Sequence, residues 1–130
     1  LMQKQLTIKL ESNPKLPVTW KSKIEFHSYS EKTKRYLSGN YYQAIKMELS
    51  YTTLDFYIEY DEVHNNPWSL WCSPETYREL WNYSHEFDQE ILDHGKPFEN
   101  YGQIQGWLVN HAYTLEEGHY TDANYDPEVA

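Results

Sequence analysis

"YYQAIKMELSYTTLDFYIEY", Tyr41 to Tyr60, is the stretch that decides the fold. Taken by alternate residues, Tyr41, Gln43, Ile45, Met47, Leu49 and Tyr51 fall on one side, with Lys46 and Glu48 on the other. After the Thr52-Thr53 reversal, Leu54, Phe56, Ile58 and Tyr60 are expected to point inward, and Asp55, Tyr57 and Glu59 outward. Successive side chains leave a pleated strand on opposite faces, so a period of two over this length predicts two half-buried strands. Their short connection makes them a hairpin.

The same period continues toward the amino terminus. "KQLTIKLES" sets Leu6, Ile8 and Leu10 against Thr7 and Lys9. Pro14 and Pro17 then interrupt, because proline has no N–H to give to a ladder. "VTWKSKIEFHSYS" puts Trp20, Ile24 and Phe26 on one face together with Ser22 and Ser28, and Lys21, Lys23, Glu25 and His27 on the other. Gly39-Asn40 is a turn dipeptide, since both residues tolerate positive φ. Sequential strands on short connections predict an antiparallel meander of about four strands.

Beyond Tyr60 the period changes. Asn65-Asn66-Pro67 signals a loop, and Trp68, Leu70 and Trp71 read as bulky anchors leading into a helix. "SPETYRELWNYSHEFDQEILDHG", Ser73–Gly95, has an N-cap serine, proline at the first helical position and Glu75 at the positive end of the dipole. Tyr77, Leu80, Trp81, Ser84, Phe87, Asp88 and Ile91 form its inward stripe. Gly95 supplies a left-handed stop and Pro97 prevents continuation. "ENYGQIQGWLVNHAYTL" predicts a second helix with Tyr101, Ile104, Leu108, His111 and Leu115 on one face. The fold class expected is therefore α+β: an antiparallel β-meander of about four strands followed by two helices packed on one face of the sheet. One domain over residues 1–115 and a loose acidic tail over 116–130 complete the organisation.

The charge is divided unevenly. The chain has 130 residues and a net charge of −9. Residues 1–60 hold nine Lys/Arg and six Asp/Glu, whereas residues 61–130 hold two bases, Arg78 and Lys96, and fourteen acids. The outer face of the first predicted helix carries Glu75, Glu79, Glu86, Glu90 and Asp93 against Arg78 alone. A straight helix spreads those five over ~27 Å, the scale of a row of phosphates. Glu116, Glu117, Asp122, Asp126 and Glu128 extend the acidic set, and Tyr83 and Tyr120 add aromatic anchors of the kind enriched in interfaces. An acidic domain is poorly suited to direct nucleic-acid binding, which needs clustered Lys/Arg. It is suited to occupying the basic groove of a protein that handles nucleic acid. The expected function is that of an acidic inhibitor: an immunity protein against a toxin nuclease, or an anti-restriction or anti-CRISPR type mimic of nucleic acid. The partner-binding residues would be Glu75, Glu79, Glu86, Glu90, Asp93, Glu116, Glu117, Asp122, Tyr83 and Tyr120.

Two other classes remain alternatives. A small hydrolase could use Cys72, placed where a helix dipole lowers a thiol pKa, with His64 as base. It could instead use a His cluster drawn from His85, His94, His111 and His119, although their spacing matches no zinc pattern. A non-catalytic adaptor subunit is the third. No phosphate loop, dinucleotide fingerprint or nucleophile elbow is present, so neither a cofactor nor a metal is expected. The single cysteine excludes an intrachain disulfide and suggests a reducing compartment, the cytoplasm. No apolar run is long enough to span a membrane, and no membrane partner is expected.

Overall fold

A computed structural model of the chain describes residues 6–11, 21–28, 41–61, 66–83 and 95–121. The class is α+β, with a six-stranded antiparallel sheet and two helices among the described residues. The strands are β1 (Leu6–Lys9), β2 (Lys23–Ser28), β3 (Tyr41–Glu48), β4 (Thr53–Tyr60), β5 (Trp68–Cys72) and β6 (Lys96–Phe98). Helix α1 (Pro74–Tyr83) lies between β5 and β6, and α2 (Tyr101–Thr121) follows β6. Sheet order equals chain order, so every strand pairs with its sequence neighbour.

The meander is wider than the four strands expected. Trp68, Leu70 and Trp71, expected as anchors leading into a helix, belong to β5, along which Trp68, Leu70 and Cys72 alternate inward. Leu70 is opposite Ile58, and Cys72 is opposite Phe56. β6 is three residues around Pro97, too short to announce itself by period. The hairpin from Tyr41 to Tyr60 forms as expected, with Ile45 opposite Phe56 and Met47 opposite Leu54. Its loop closes with the Leu49 N–H donating to the Thr52 carbonyl at 2.8 Å. A bulge between Tyr41 and Gln43 makes Tyr42 the extra residue, and Gln43 is buried in phase with Ile45 and Met47. The Gly39-Asn40 turn and Ser84–His94 of the long predicted helix lie outside the described residues.

Rows of apolar side chains cross the sheet. Phe26, Ile45, Phe56 and Cys72 form one row, and Ile24, Met47 and Leu54 the next. All are buried, and they share one core cluster with Leu80 of α1 and with Ile104, Leu108, Ala112 and Leu115 of α2. Helix α2 runs along β3: the Tyr101 hydroxyl donates to Gln43 at 2.5 Å near one end, and Glu116 meets Ser50 just past the other. Burial pushes the Tyr101 hydroxyl up to about 12. At its own end of the sheet Tyr101 packs with Tyr42 and Trp68, at ring centroid distances of 5.9 and 5.4 Å.

The opposite face of the sheet is a ladder of charge. Lys23 lies 2.6 Å from Glu25 and 3.4 Å from Glu48, Lys46 lies 3.8 Å from Glu48, and His27 Nε2 lies 3.0 Å from Glu25. Lys23, hydrogen-bonded to Glu25, holds that carboxyl below its usual value. Tyr57, expected outward, is on this face yet only 4% exposed. It sits opposite Trp71, whose ring in turn lies against Gly95. Gly95 has φ +74°, and a Cβ there would stand 2.6 Å from the indole, so glycine is needed for both conformation and space.

Candidate protein-interaction surface

Helix α1 begins as the sequence indicates. The Ser73 hydroxyl accepts the Thr76 N–H at 3.1 Å and donates to Thr76 Oγ1 at 2.9 Å. Thr76 Oγ1 also accepts the Asp55 N–H at 2.8 Å, and the Ser73 N–H reaches the Asp55 carbonyl at 3.3 Å. The cap therefore fastens the helix start to β4 as well as satisfying free amides. With Leu80 fully buried, the rotation of α1 is set. Glu75 and Arg78 stand in solvent, and Glu79 is half-buried at the margin. Trp81, assigned to the inward stripe, is 43% exposed and stacks on Tyr77 at 6.5 Å. A part-exposed tryptophan on the helix that carries Glu75 and Glu79 is a feature the sequence reading did not single out. Its signal was present: Trp81 follows Leu80 directly, and adjacent helical residues diverge by ~100°.

The expected partner-binding residues separate on inspection. Glu75 and Glu79 are on the outer side of α1, and neither has an ion pair among the described residues. Glu117 is exposed on α2. Glu86, Glu90, Asp93 and Asp122 lie outside the described residues, as do the side chains of Tyr83 and Tyr120. Glu116 departs from expectation. It is fully buried, because α2 runs on through Thr121 rather than ending at Leu115. Spacing explains this: Leu108, Ala112 and Glu116 recur every four residues on the covered side. The Glu116 carboxylate accepts hydrogen bonds from the Ser22 hydroxyl, the Ser50 N–H at 2.6 Å and the Ser50 hydroxyl at 2.5 Å. It is a fastening between α2 and the sheet, and it is not available to a partner. Ser22 carried the signal, as a hydroxyl on an apolar face that needs an acceptor.

The chemistry considered for Cys72 meets a different environment from the one expected. The thiol is buried, and desolvation pushes its pKa up to about 12, against the effect of the helix start. His64, its suggested base, lies outside the described residues, as do His85 and His94. Of the others, His111 donates from Nδ1 to the Trp107 carbonyl at 2.7 Å and stacks on that indole at 3.9 Å. His119 stacks on Tyr51 at 3.9 Å. Among the described residues, no three His, Cys, Asp or Glu side chains are grouped to hold a metal ion, and no helix is long and apolar enough to cross a membrane.

The solvent-facing part of α1 thus combines an exposed indole, two carboxylates and one guanidinium on a capped, well-anchored helix. That arrangement can bind and orient another protein's surface; aromatic anchors supply contact area, and charges steer the encounter. No protein-family model, no curated protein and no solved structure matches the chain.

Proposed function

We propose that the chain is an acidic protein-binding inhibitor that covers the basic nucleic-acid-binding surface of a partner, as an immunity protein or an anti-restriction or anti-CRISPR protein does. One observation carries this reading. Glu25 and Glu48 of the first half are engaged by Lys23 and Lys46, whereas Glu75 and Glu79, on the same helix as the exposed Trp81, have no ion pair among the described residues. Carboxylates kept clear of internal cations retain their field for an outside cation. An exposed indole on the same helix supplies the apolar anchor that charge alone lacks. The surface would take Glu75, Glu79 and Trp81 from α1, Glu117 from α2, and the acids Glu86, Glu90, Asp93 and Asp122. Glu116 is withdrawn from the set because it is fully buried.

The test is inhibition of the nucleases and other nucleic-acid-processing enzymes encoded beside this gene. Inhibition is expected to weaken steeply as salt rises from low to physiological strength. Glu75→Lys with Glu79→Lys should weaken binding by about tenfold or more, while the fold persists with about 1 kcal/mol lost where Glu75 leaves the positive end of the helix dipole. Trp81→Ala should raise the dissociation rate more than it lowers the association rate. Equal inhibition by the charge-reversed protein would refute the proposal, as would the absence of inhibition of any of those enzymes.

A further inference from the structure

The two edges of the sheet are not alike. β6 is three residues long and contains Pro97, which has no N–H to offer an added strand. β1 at the other edge contains no proline, and among the described residues nothing pairs with its outer side. The Leu10 N–H donates to the Ser22 carbonyl, which fixes the phase of the β1–β2 ladder. Leu6, Ile8 and Leu10 turn their backbone groups toward β2, so Thr7 and Lys9 turn theirs outward. Two N–H donors and two carbonyl acceptors therefore line the open edge.

Side chains at this edge define what would fit. On the core face, Leu6 continues the row of Phe26, Ile45, Phe56 and Cys72. Those four are at most 2% exposed, yet Leu6 is 41% exposed, so the apolar row runs out into solvent. On the other face, Lys9 is directly opposite Lys23. Like charges at such a position repel. Lys23 is held by Glu25 and Glu48, whereas Lys9 is exposed and has no ion pair among the described residues. An added strand would thus meet an apolar row on one face and an unmatched ammonium on the other.

We propose that the outer edge of β1 is a docking strand for an extended segment of a partner protein that alternates apolar and acidic residues and runs antiparallel to β1. The backbone groups of Thr7 and Lys9 supply the hydrogen bonds, apolar side chains extend the row beyond Leu6 and Ile8, and an Asp or Glu faces Lys9. A second copy of this chain is a poorer match. Pairing within Leu6–Lys9 sets Lys9 against Thr7 or Lys9 of the copy, and neither is an acid. This inference does not depend on the acidic surface of α1.

The test uses a blocked peptide of about seven residues alternating valine with glutamate, and its lysine counterpart. Binding is followed on the full chain by amide chemical shifts and hydrogen exchange. The glutamate peptide should shift and protect the Thr7 and Lys9 amides and bind about tenfold more tightly than the lysine peptide. Lys9→Glu should invert that order. Thr7→Pro removes an outward N–H without touching the β1–β2 ladder and should abolish binding while the fold persists. Equal affinity for both peptides, perturbations mapping away from β1, or binding that survives Thr7→Pro would overturn the proposal. So would a concentration-dependent dimer that Thr7→Pro abolishes. If Thr7→Pro fails to fold, the peptide order in Lys9→Glu decides alone: inversion supports the proposal and no change ends it.

Discussion

Removing the Glu116 carboxylate should destabilise the fold although no cation pairs with it among the described residues. The side chain is fully buried and receives the Ser22 hydroxyl, the Ser50 N–H and the Ser50 hydroxyl. Two effects of Glu116→Ala oppose each other. Desolvating a carboxylate is costly, so deleting it relieves that cost. Against this, hydrogen bonds to a charged group contribute about 1.5–3 kcal/mol each, and a stranded buried donor costs about 1–3 kcal/mol. Ser50 is exposed and its groups can turn to water; Ser22 is 3% exposed and its hydroxyl cannot. The lost side chain also leaves a cavity under α2. The donors win, and the expected loss is about 3 kcal/mol for alanine. Glu116→Gln keeps the shape but not the charge and should cost about half as much.

The assay is equilibrium unfolding in urea, with an unchanged slope showing that the midpoint reports stability. For a domain of this size the alanine variant should melt about 10 °C lower. Ser22→Ala combined with Glu116→Ala should cost less than the sum of the two, with a coupling of about 1 kcal/mol. A Glu116→Leu protein more stable than the original would refute the reasoning, because the carboxylate would then be a net burden. An alanine variant within about 0.5 kcal/mol of the original would do the same.

Gly95→Ala combines a φ of +74° with a Cβ 2.6 Å from the Trp71 ring; a loss of about 2–4 kcal/mol by urea unfolding is expected, larger than left-handed strain alone. Ser73→Ala removes the acceptor of the Thr76 N–H and should cost about 1 kcal/mol, read from the same unfolding curves. Burial raises the Cys72 thiol from 9.0 to about 12. At neutral pH only about one thiol in 10⁵ is then ionised, so alkylation of the native protein should be far slower than of the urea-unfolded chain. In the same interval the unfolded chain releases a proton that the folded chain keeps, so stability falls as pH rises from 9 toward 12. Cys72→Ala should flatten the first part of that fall, leaving the contribution of Tyr101, raised from 10.0 to about 12. Calorimetry of both proteins across that range checks the difference. Finally, Glu75→Lys with Glu79→Lys should leave peptide binding at β1 unchanged, since β1 is three strands away from β4, to which the start of α1 is fastened.

The central hairpin was legible because its two strands alternate without interruption and their rows are filled by Ile45, Met47, Leu54 and Phe56. β5 was not, because Trp71 puts a second large aromatic on the face away from the helices. Alternation marks a strand only when one face is polar, and here both faces of β5 are covered in part. Tyr57 was misjudged for the same reason: it is opposite Trp71, and burial there comes from that neighbour rather than from the helix layer. The Ser73 cap and the buried position of Leu80 follow from local chemistry, and both could be read directly. Glu116 could not be assigned from composition. An acid in an acidic stretch carries no mark of burial until its spacing from Leu108 and Ala112 is set beside the inward-facing Ser22.

Acids in this chain are distributed by which donors the fold brings to them, not by their density along the sequence. On β2 and β3 the strand register places Lys23 against Glu48 and Lys46 against Glu25, and the carboxylates are consumed there. At the end of α2 no cation is needed, since two serines and one amide converge on Glu116. On α1 the nearest base in sequence is Arg78, itself exposed, and the cap has already drawn the helix onto β4. Glu75 and Glu79 therefore keep their charge facing water. Lys9 is the cationic counterpart of the same rule, left over at a sheet edge because the lysine opposite it holds the neighbouring acids. Charges that the fold leaves unmatched on surfaces it has made rigid are where it can bind without first rearranging, and that is why α1 and β1 carry the two functional proposals.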